Sequence, residues 1–539
     1  MTTIERWRVE PPRVEAAYHP PLDLGGADDL AAYARRALAA LRGVVPASEW
    51  RAVYERGLAE AQRRRDAGGL AAIVAVAMAR LDAEGRSLEA IEYLDFALAM
   101  AHDSPDAVVL LQSMRATYEA LQGNVGRAES ALRIARGQMA RTQTPATRLE
   151  YEWSSAVVAA IAVRPGALRR IKRTIARLQQ AGMEAQASFV LHWFITMLFA
   201  LGAHASARPW IEALRVQARE SHHAWRHADA LAFEYGRKVA LGRADGAPPI
   251  EEVSAAGNWL ATWRLHALDL RSALLLGDWA RADRSIEELE RIAPRMSAGT
   301  ADGLSAFVGL AAAYRGDDEP LKLIAPPRLS LVTVGPILAA AEAAAIAGTQ
   351  VEAARWLEWT VDLVPAEVQT AFEWPVAKDR VFGLLLLRAG RERQAVVALR
   401  RAVAWARVSG YEVEAAIAQT QLAEVLALGN GGAKEQEWSR LRRAGWLKLR
   451  EFDIDPTLHA YVATRPIARA RAADVQPALT ERQVAVLQLL SEGLSYREVG
   501  EQLGTSWRTV STQAHQVYER LGVNGKMRAV REAQRLQLI

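Results

Sequence analysis

Glycine recurs at positions 43, 85, 123, 166, 202, 242, 277, 316, 348, 390 and 429, each time just after an apolar helical segment. The intervals run from 32 to 43 residues. Alanine follows five residues later in GRSLEA, GNVGRA, GAHASA, GDWARA, GTQVEA and GRERQA. The physical logic is a hairpin of two antiparallel helices: glycine ends the first helix in a left-handed conformation, and the small alanine lets the second helix pack closely against it. A period of this length indicates an elongated array, because each helix pair leaves an apolar face that its neighbour must cover. The expected fold class is all-α.

The pattern resembles the tetratricopeptide repeat. A second small residue falls in phase at Ala97, Ala135 and Ala402, and a helix-ending proline at Pro294 and Pro365. The uneven spacing departs from a constant repeat of about 34 residues. The expectation is an irregular tetratricopeptide-like α-solenoid of helical hairpins over residues 30–450, behind an N-terminal arm at 1–29. Such arrays present a long concave surface to a ligand or partner. Trp193, Trp210, Trp225, Trp259, Trp263 and Trp279 crowd the middle of the chain, among 16 tryptophans in all. Two roles are open to them: a ligand or partner surface, which favours rigid aromatics, or packing between helices.

Composition removes several alternatives. The 539 residues are 51% hydrophobic and 24% charged, enough for a large core, and contain no cysteine, so disulfides, thiolate catalysis and cysteine-held metals are excluded. Residues 185–207 carry no Asp, Glu, Lys or Arg; a membrane span and a buried helix compete there, and His192, Thr196 and the repeat phase favour the buried helix. The opening MTTIERWRVEPPRVEAAYHPP has acids and prolines where a signal peptide needs an apolar core, which points to the cytoplasm. His223 and His227, four apart with His222 alongside, have metal-ligand spacing but no accompanying acidic motif, so solvated histidines and no metal are expected. Phosphate-cradling glycine loops and the GxSxG elbow are missing from the sequence, leaving no basis for an enzyme or a cofactor.

After Gly429 the character changes. SRLRRAGWLKLREF is a basic amphipathic segment, and residues 451–477 read as a linker. In residues 478–539, capping boxes from Thr480 to Gln483 and from Ser495 to Glu498 open two helices. Ser506 caps a third that closes at Leu521 with Gly522 beyond, and Asn524 opens a fourth. The Gly-Thr-Ser break between the second and third describes a helix-turn-helix. Val510, Ala514, Val517 and Leu521 form an apolar stripe, opposite short polar groups suited to a major groove.

The run LTERQVAVLQLLSEGLSYREVGEQLGTSWRTVSTQAHQVYERLGVNGKMRAV resembles the C-terminal DNA-binding domain of the LuxR family of bacterial transcription regulators. The resemblance implies double-stranded DNA as partner, with base contacts from Ser511, Thr512 and His515. It implies backbone contacts from Arg508 and Lys526, with Arg482 and Arg497 nearby, and a homodimer through Ala529, Val530, Ala533 and Leu536. Where the family has Lys, His, Glu and Asn, this chain has Ser511, Gln513, Gln483 and Tyr496, which bears on sequence preference more than on fold. A helical array ahead of such a domain is similar to the large regulators of the maltose-activator type, without their nucleotide-binding domain. The function expected is a transcription regulator whose solenoid senses a small molecule or protein partner and controls a dimeric helix-turn-helix at an inverted repeat. The alternative is an interaction scaffold with a weakened helix-turn-helix.

Overall fold

The structure, a computed structural model, describes residues 47–539 apart from 84–86, 102, 143, 245, 297, 302, 317–330, 332, 365, 429–434, 464–478, 522, 524 and 536–537. The arm at 1–29, Gly43, Gly85, Gly429, Pro365, Gly522, Asn524 and Leu536 therefore lie outside the described residues. All regular secondary structure among the described residues is helical.

The first stretch holds α1 (Ala47–Arg64), α2 (Ala67–Ala83), α3 (Ser87–Met100), α4 (Pro105–Leu121), α5 (Val125–Gln138), α6 (Pro145–Ile161) and α7 (Ala167–Gln180). The middle holds α8 (Glu184–Ala200), α9 (His204–Glu220), α10 (Ala224–Ala240), α11 (Ile250–Ala255), α12 (Trp259–Leu276), α13 (Trp279–Ile292), α14 (Ala298–Ala301) and α15 (Leu304–Arg315). Then come α16 (Val334–Ala347), α17 (Gln350–Leu363), α18 (Lys378–Arg388), α19 (Glu392–Val408), α20 (Glu412–Leu428) and α21 (Glu435–Arg450). Helices joined by short turns pack on each other, and first helices of successive pairs also pack, α2 on α4, α4 on α6, α10 on α12 and α16 on α18.

The alanines that follow the periodic glycines explain this closeness. Ala128, Ala207, Ala282, Ala353 and Ala395 are fully buried, as are Ala97, Ala135 and Ala402 at the second small position. Gly202 has φ 76°, and the bonds from its N–H to Phe199 O (2.8 Å) and from Ala203 N–H to Leu198 O (2.8 Å) close the end of α8. Two of the periodic glycines act differently. Val163, at φ 48°, makes the left-handed turn after α6, and Gly166 instead heads α7. Gly348 is not left-handed (φ −66°); Thr349 beside it opens α17 through a capping box with Glu352.

The charge-free run 185–207 is a core element. Val190, Leu191, Phe194, Ile195 and Phe199 of α8 are buried, and no described helix is long and apolar enough to cross a membrane. Inside the helix, His192 Nδ1 meets Asp229 Oδ2 at 2.9 Å, and Arg226 donates to the same oxygen at 2.9 Å. Trp193 and Trp263 correct the expectation of a ligand surface: each is 2% exposed and belongs to the core. Trp210, Trp225, Trp259 and Trp279 are half-buried, each with a cation over its ring: Lys172, Arg226, Arg295 and Arg315 respectively.

The array closes on itself. Tyr411 OH bonds the His204 imidazole, Trp405 lies against Gly202, and Phe452 and Val413 lie against Gly242. Its interior is filled by a non-helical strap, residues 366–377, in which Val368, Phe372, Glu373, Trp374 and Val376 are buried. Gln369 N–H donates to Ala200 O at 2.8 Å. Phe372 sits among Phe199, Phe233 and the Arg264 guanidinium at 4.9, 5.2 and 5.1 Å. Two glycines, Gly236 inside α10 and Gly335 in the first turn of α16, make room for the strap. A Cβ at Gly236 would stand 2.5 Å from the Phe372 ring, and one at Gly335 would stand 2.7 Å from the Glu373 carboxylate. The expected open concave surface is thus replaced here by an interior occupied by the chain itself.

Beside the strap lies a buried ionic cluster. Arg380 of α18 bonds Glu342 of α16 (2.8 Å) and Glu414 of α20, and Arg271 of α12 reaches Glu414 at 3.3 Å. Tyr314 OH donates to Glu342, and Ala377 N–H to Glu414 at 2.8 Å. Residues 451–463 correct the expected linker start. Residues 456–463 are helical, His459 and Ala463 are fully buried and Val462 is 1% exposed, so this segment is packed on the body.

Arg380→Met should destabilise the body by about 3–5 kcal/mol, since it leaves two buried carboxylates with one guanidinium between them; the midpoint of urea unfolding reads this. Burial, reinforced by Arg380, pushes the His459 imidazole down to about 4. Between about pH 6.5 and that value the unfolded chain binds a proton that the folded chain refuses, so this stability is present above the window and lost as pH falls through it. His192 and His204, also lowered by burial, act in the same direction, and Glu150 and Glu373, raised by burial, act against it. His459→Gln should therefore flatten the pH dependence of unfolding by up to about 1.4 kcal/mol per pH unit in that window, measured by denaturant melts at stepped pH.

Candidate nucleic-acid interface

The C-terminal domain is organised by short-range hydrogen bonds at helix starts. In α22 (Glu481–Ser491), Thr480 Oγ1 accepts from Gln483 N–H at 3.3 Å and Gln483 Oε1 accepts from Thr480 N–H at 3.2 Å. In α23 (Tyr496–Gln502), Ser495 and Glu498 make the same exchange, and the Ser495 N–H holds the Glu498 carboxyl below its ordinary value. In α24 (Trp507–Leu521), Ser506 Oγ accepts from Thr509 N–H at 3.1 Å. The last helix is α25 (Lys526–Arg535).

Val510, Ala514, Val517 and Leu521 are all buried, packed with Val486, Leu487, Leu490 and Val499. The turn between α23 and α24 is pressed onto Gly500, where a Cβ would stand 2.8 Å from Thr505 O and 3.2 Å from Trp507 N. Tyr496 OH lies 2.8 Å from Tyr518 OH, so the tyrosine at this departure from the family pattern is tied to the third helix.

The face of α24 opposite the core presents Arg508, Thr512, His515 and Gln516 to solvent, with Ser511 half-buried at its edge. Thr512 OH donates to Arg508 O (3.0 Å), and His515 Nδ1 lies 2.9 Å from Ser511 O. The structure thus gathers the three expected base-reading residues on one turn-and-a-half of one helix. The four expected backbone cations divide. Arg508 and Arg497 are exposed, Arg497 beside Glu501 at 3.4 Å. Arg482 bonds Leu503 O at the end of α23, and Lys526 Nζ bonds Gly493 O (3.2 Å) and Leu494 O (2.7 Å) beyond α22. These two cations satisfy helix-end carbonyls inside the domain.

The expected dimer residues also divide. Ala529 and Ala533 are fully buried in the domain's own core, which corrects their placement on an interface; Val530 is half-buried. The exposed side of α25 carries Met527, Arg531 and Gln534 instead. Two features escaped the sequence reading. Arg520 Nη1 donates to Gln483 Oε1 (2.7 Å), and Gln483 Nε2 donates to Gln516 Oε1 (3.3 Å), a network that joins the first and third helices; the departure at Gln483 was its signal, because an amide both donates and accepts. The other is Trp507, 55% exposed at the start of α24.

His227 Nε2 is 3.8 Å from Glu252, and no three His, Asp or Glu residues gather to hold a metal among the described residues.

Four helices with a tight turn before an exposed polar third helix define a helix-turn-helix domain. Residues 477–533 match the family described as bacterial regulatory proteins, luxR family. The chain is 38% identical over 71 residues to the "Probable transcriptional regulatory protein NarL" of Mycobacterium tuberculosis, in strains CDC 1551 / Oshkosh and ATCC 25618 / H37Rv. That match covers 13% of this chain and 33% of the relative, so the similarity is confined to one domain.

Because Lys526 holds carbonyls across the domain, Lys526→Ala should weaken α25 by about 1 kcal/mol, seen as roughly fivefold faster amide exchange through that helix. Arg497→Ala, at a solvated pair, should leave exchange there unchanged.

Proposed function

We propose that this protein is a bacterial DNA-binding transcription regulator acting in the cytoplasm, in which a tetratricopeptide-like body controls a LuxR-type helix-turn-helix. The observation that carries the reading is the exposed face of α24, where Arg508, Thr512 and His515 stand opposite a fully buried stripe on a helix with a capped start. Such a face enters a major groove with short polar groups over base edges and cations toward phosphates. Residues 471–539 hold nine Lys or Arg against seven Asp or Glu. That is a small excess, so pairing two domains on an inverted repeat supplies the affinity that one lacks. The exposed side of α25 is the surface for that pairing, around Val530.

The body is the sensor of a small molecule or a protein partner, and the chain between 464 and 478 transmits its state. With the strap filling the interior, the effector meets the outer surface or rearranges the strap. A second reading, a protein-interaction scaffold with weakened DNA binding, is favoured by Arg482 and Lys526, whose bonds to the domain's own carbonyls draw them from phosphate.

Selection of genomic fragments by the full-length chain at near-physiological salt separates the two. The regulator reading expects enrichment of an inverted repeat, lost when Arg508, Thr512 and His515 are all changed to Ala, with affinity falling at least a hundredfold, since each good base or phosphate contact is worth about 1–3 kcal/mol. If neither the full chain nor residues 470–539 selects any sequence, the scaffold reading stands.

A further inference from the structure

Trp507 stands 55% exposed at the start of α24. Among the described residues of the C-terminal domain, Trp507 and Met527 are the large apolar side chains left exposed, and the remaining apolar residues of α24 are buried. An exposed indole offers a large flat apolar surface that a partner can cover with gain in free energy.

Its position is fixed by backbone. The Thr505–Trp507 turn rests on Gly500, so the main chain at Trp507 is pinned against α23 and its side chain projects away from the core. Trp507 is four residues before Ser511, and residues at that spacing share a helix face. It therefore flanks the polar face of α24 at the end that leads into a groove, where recognition helices meet base edges. The Arg508 guanidinium lies 5.6 Å from the indole centroid, a cation–π pair that orients the ring and sets a positive charge beside it.

We propose that Trp507 reads sequence: its indole covers the C5-methyl of a thymine in the major groove, while Arg508 takes the adjoining phosphate. Thymine is the base that presents an apolar group on that edge, and a flat apolar side chain is the matching surface. This rests on the DNA-binding reading above, and the test keeps the two apart.

The full-length chain first selects its site from randomised duplexes. Each thymine of that site is then replaced in turn by deoxyuridine, which pairs identically and lacks the methyl. The native chain should lose about fourfold in affinity at one position of each half-site, the effect of one buried methyl group. Trp507→Ala should bind the thymine duplex about as weakly as the native chain binds the deoxyuridine duplex, and should not distinguish the two; Trp507→Phe should keep part of the preference. The proposal is overturned if the native chain ignores every replacement, or if Trp507→Ala weakens both duplexes while still sensing the methyl. A chain that selects no sequence at all sinks the regulator reading and this inference with it, an outcome distinct from a flat deoxyuridine profile on a selected site.

Discussion

Arg380 joins parts of the chain that the repeat alone would keep apart. Its guanidinium lies between the carboxylates of Glu342 and Glu414, with Arg271 closing the set, so α12, α16, α18 and α20 share one buried group of charges. A simple array needs contacts only between neighbours. Here the pair Arg271–Glu414 spans 143 residues and Tyr411–His204 spans 207. Burying such charges gains little net stability over apolar packing, since desolvation offsets attraction. What the cluster contributes is geometry: two cations and two anions satisfy one another in one arrangement of the helices, and sliding a helix by a turn leaves a charge uncompensated in the interior. Burial alone raises the carboxyl of Glu342, yet Arg380 outweighs it and the group is held below its ordinary value.

That closure accounts for the strap. Once the ends of α8 and α10 face α19 and α20, the space between them must be filled, and residues 366–377 fill it with Phe372 and Trp374. Glycine in the middle of a helix costs about 1 kcal/mol relative to alanine, and Gly236 stands at such a place because the Phe372 ring needs the room; Gly335, in the first turn of α16, leaves room for the Glu373 carboxylate. The strap's main chain is partly satisfied by the end of α8, where Ala200 O accepts from Gln369 and Thr370. An irregular segment can be this deep only where its polar backbone finds such partners.

The features legible in the sequence are those set by local physics. Capping boxes at Thr480 and Ser495, the stripe from Val510 to Leu521, and the alanines five beyond most of the periodic glycines all depend on neighbours within a few positions or on one adjoining helix. Long-range partners were not legible. Nothing in the spacing of Arg271, Glu342, Arg380 and Glu414 announces that they meet, and Trp193 and Trp210 look alike in sequence although one is core and the other half-exposed. Residues 451–463 read as a linker because they are short and interrupted by Pro456; their burial comes from the body's surface, to which Leu458 and Val462 are complementary. In the C-terminal domain, the cations at 482 and 526 were expected on phosphate because sequence shows their charge and hides the carbonyls within their reach.

Segment 456–463 is docked on the body. It lies on the cluster side of the body, His459 feels Arg380, Glu342 and Arg271, and the chain that follows leads to α22. His459 packs against the Tyr314 ring (centroids 6.5 Å), whose hydroxyl donates to Glu342, so the segment touches a member of the charged cluster. An effector with different affinity for two arrangements of those helices shifts the population of docked and released segment by that difference and no more. On the reading proposed above, release would lengthen the tether by the residues from 456 onward and so change the effective concentration of two paired domains. On that reading, the buried charges that close the array lie beside the segment that precedes the DNA-binding domain, where a signal received by the body would have to pass.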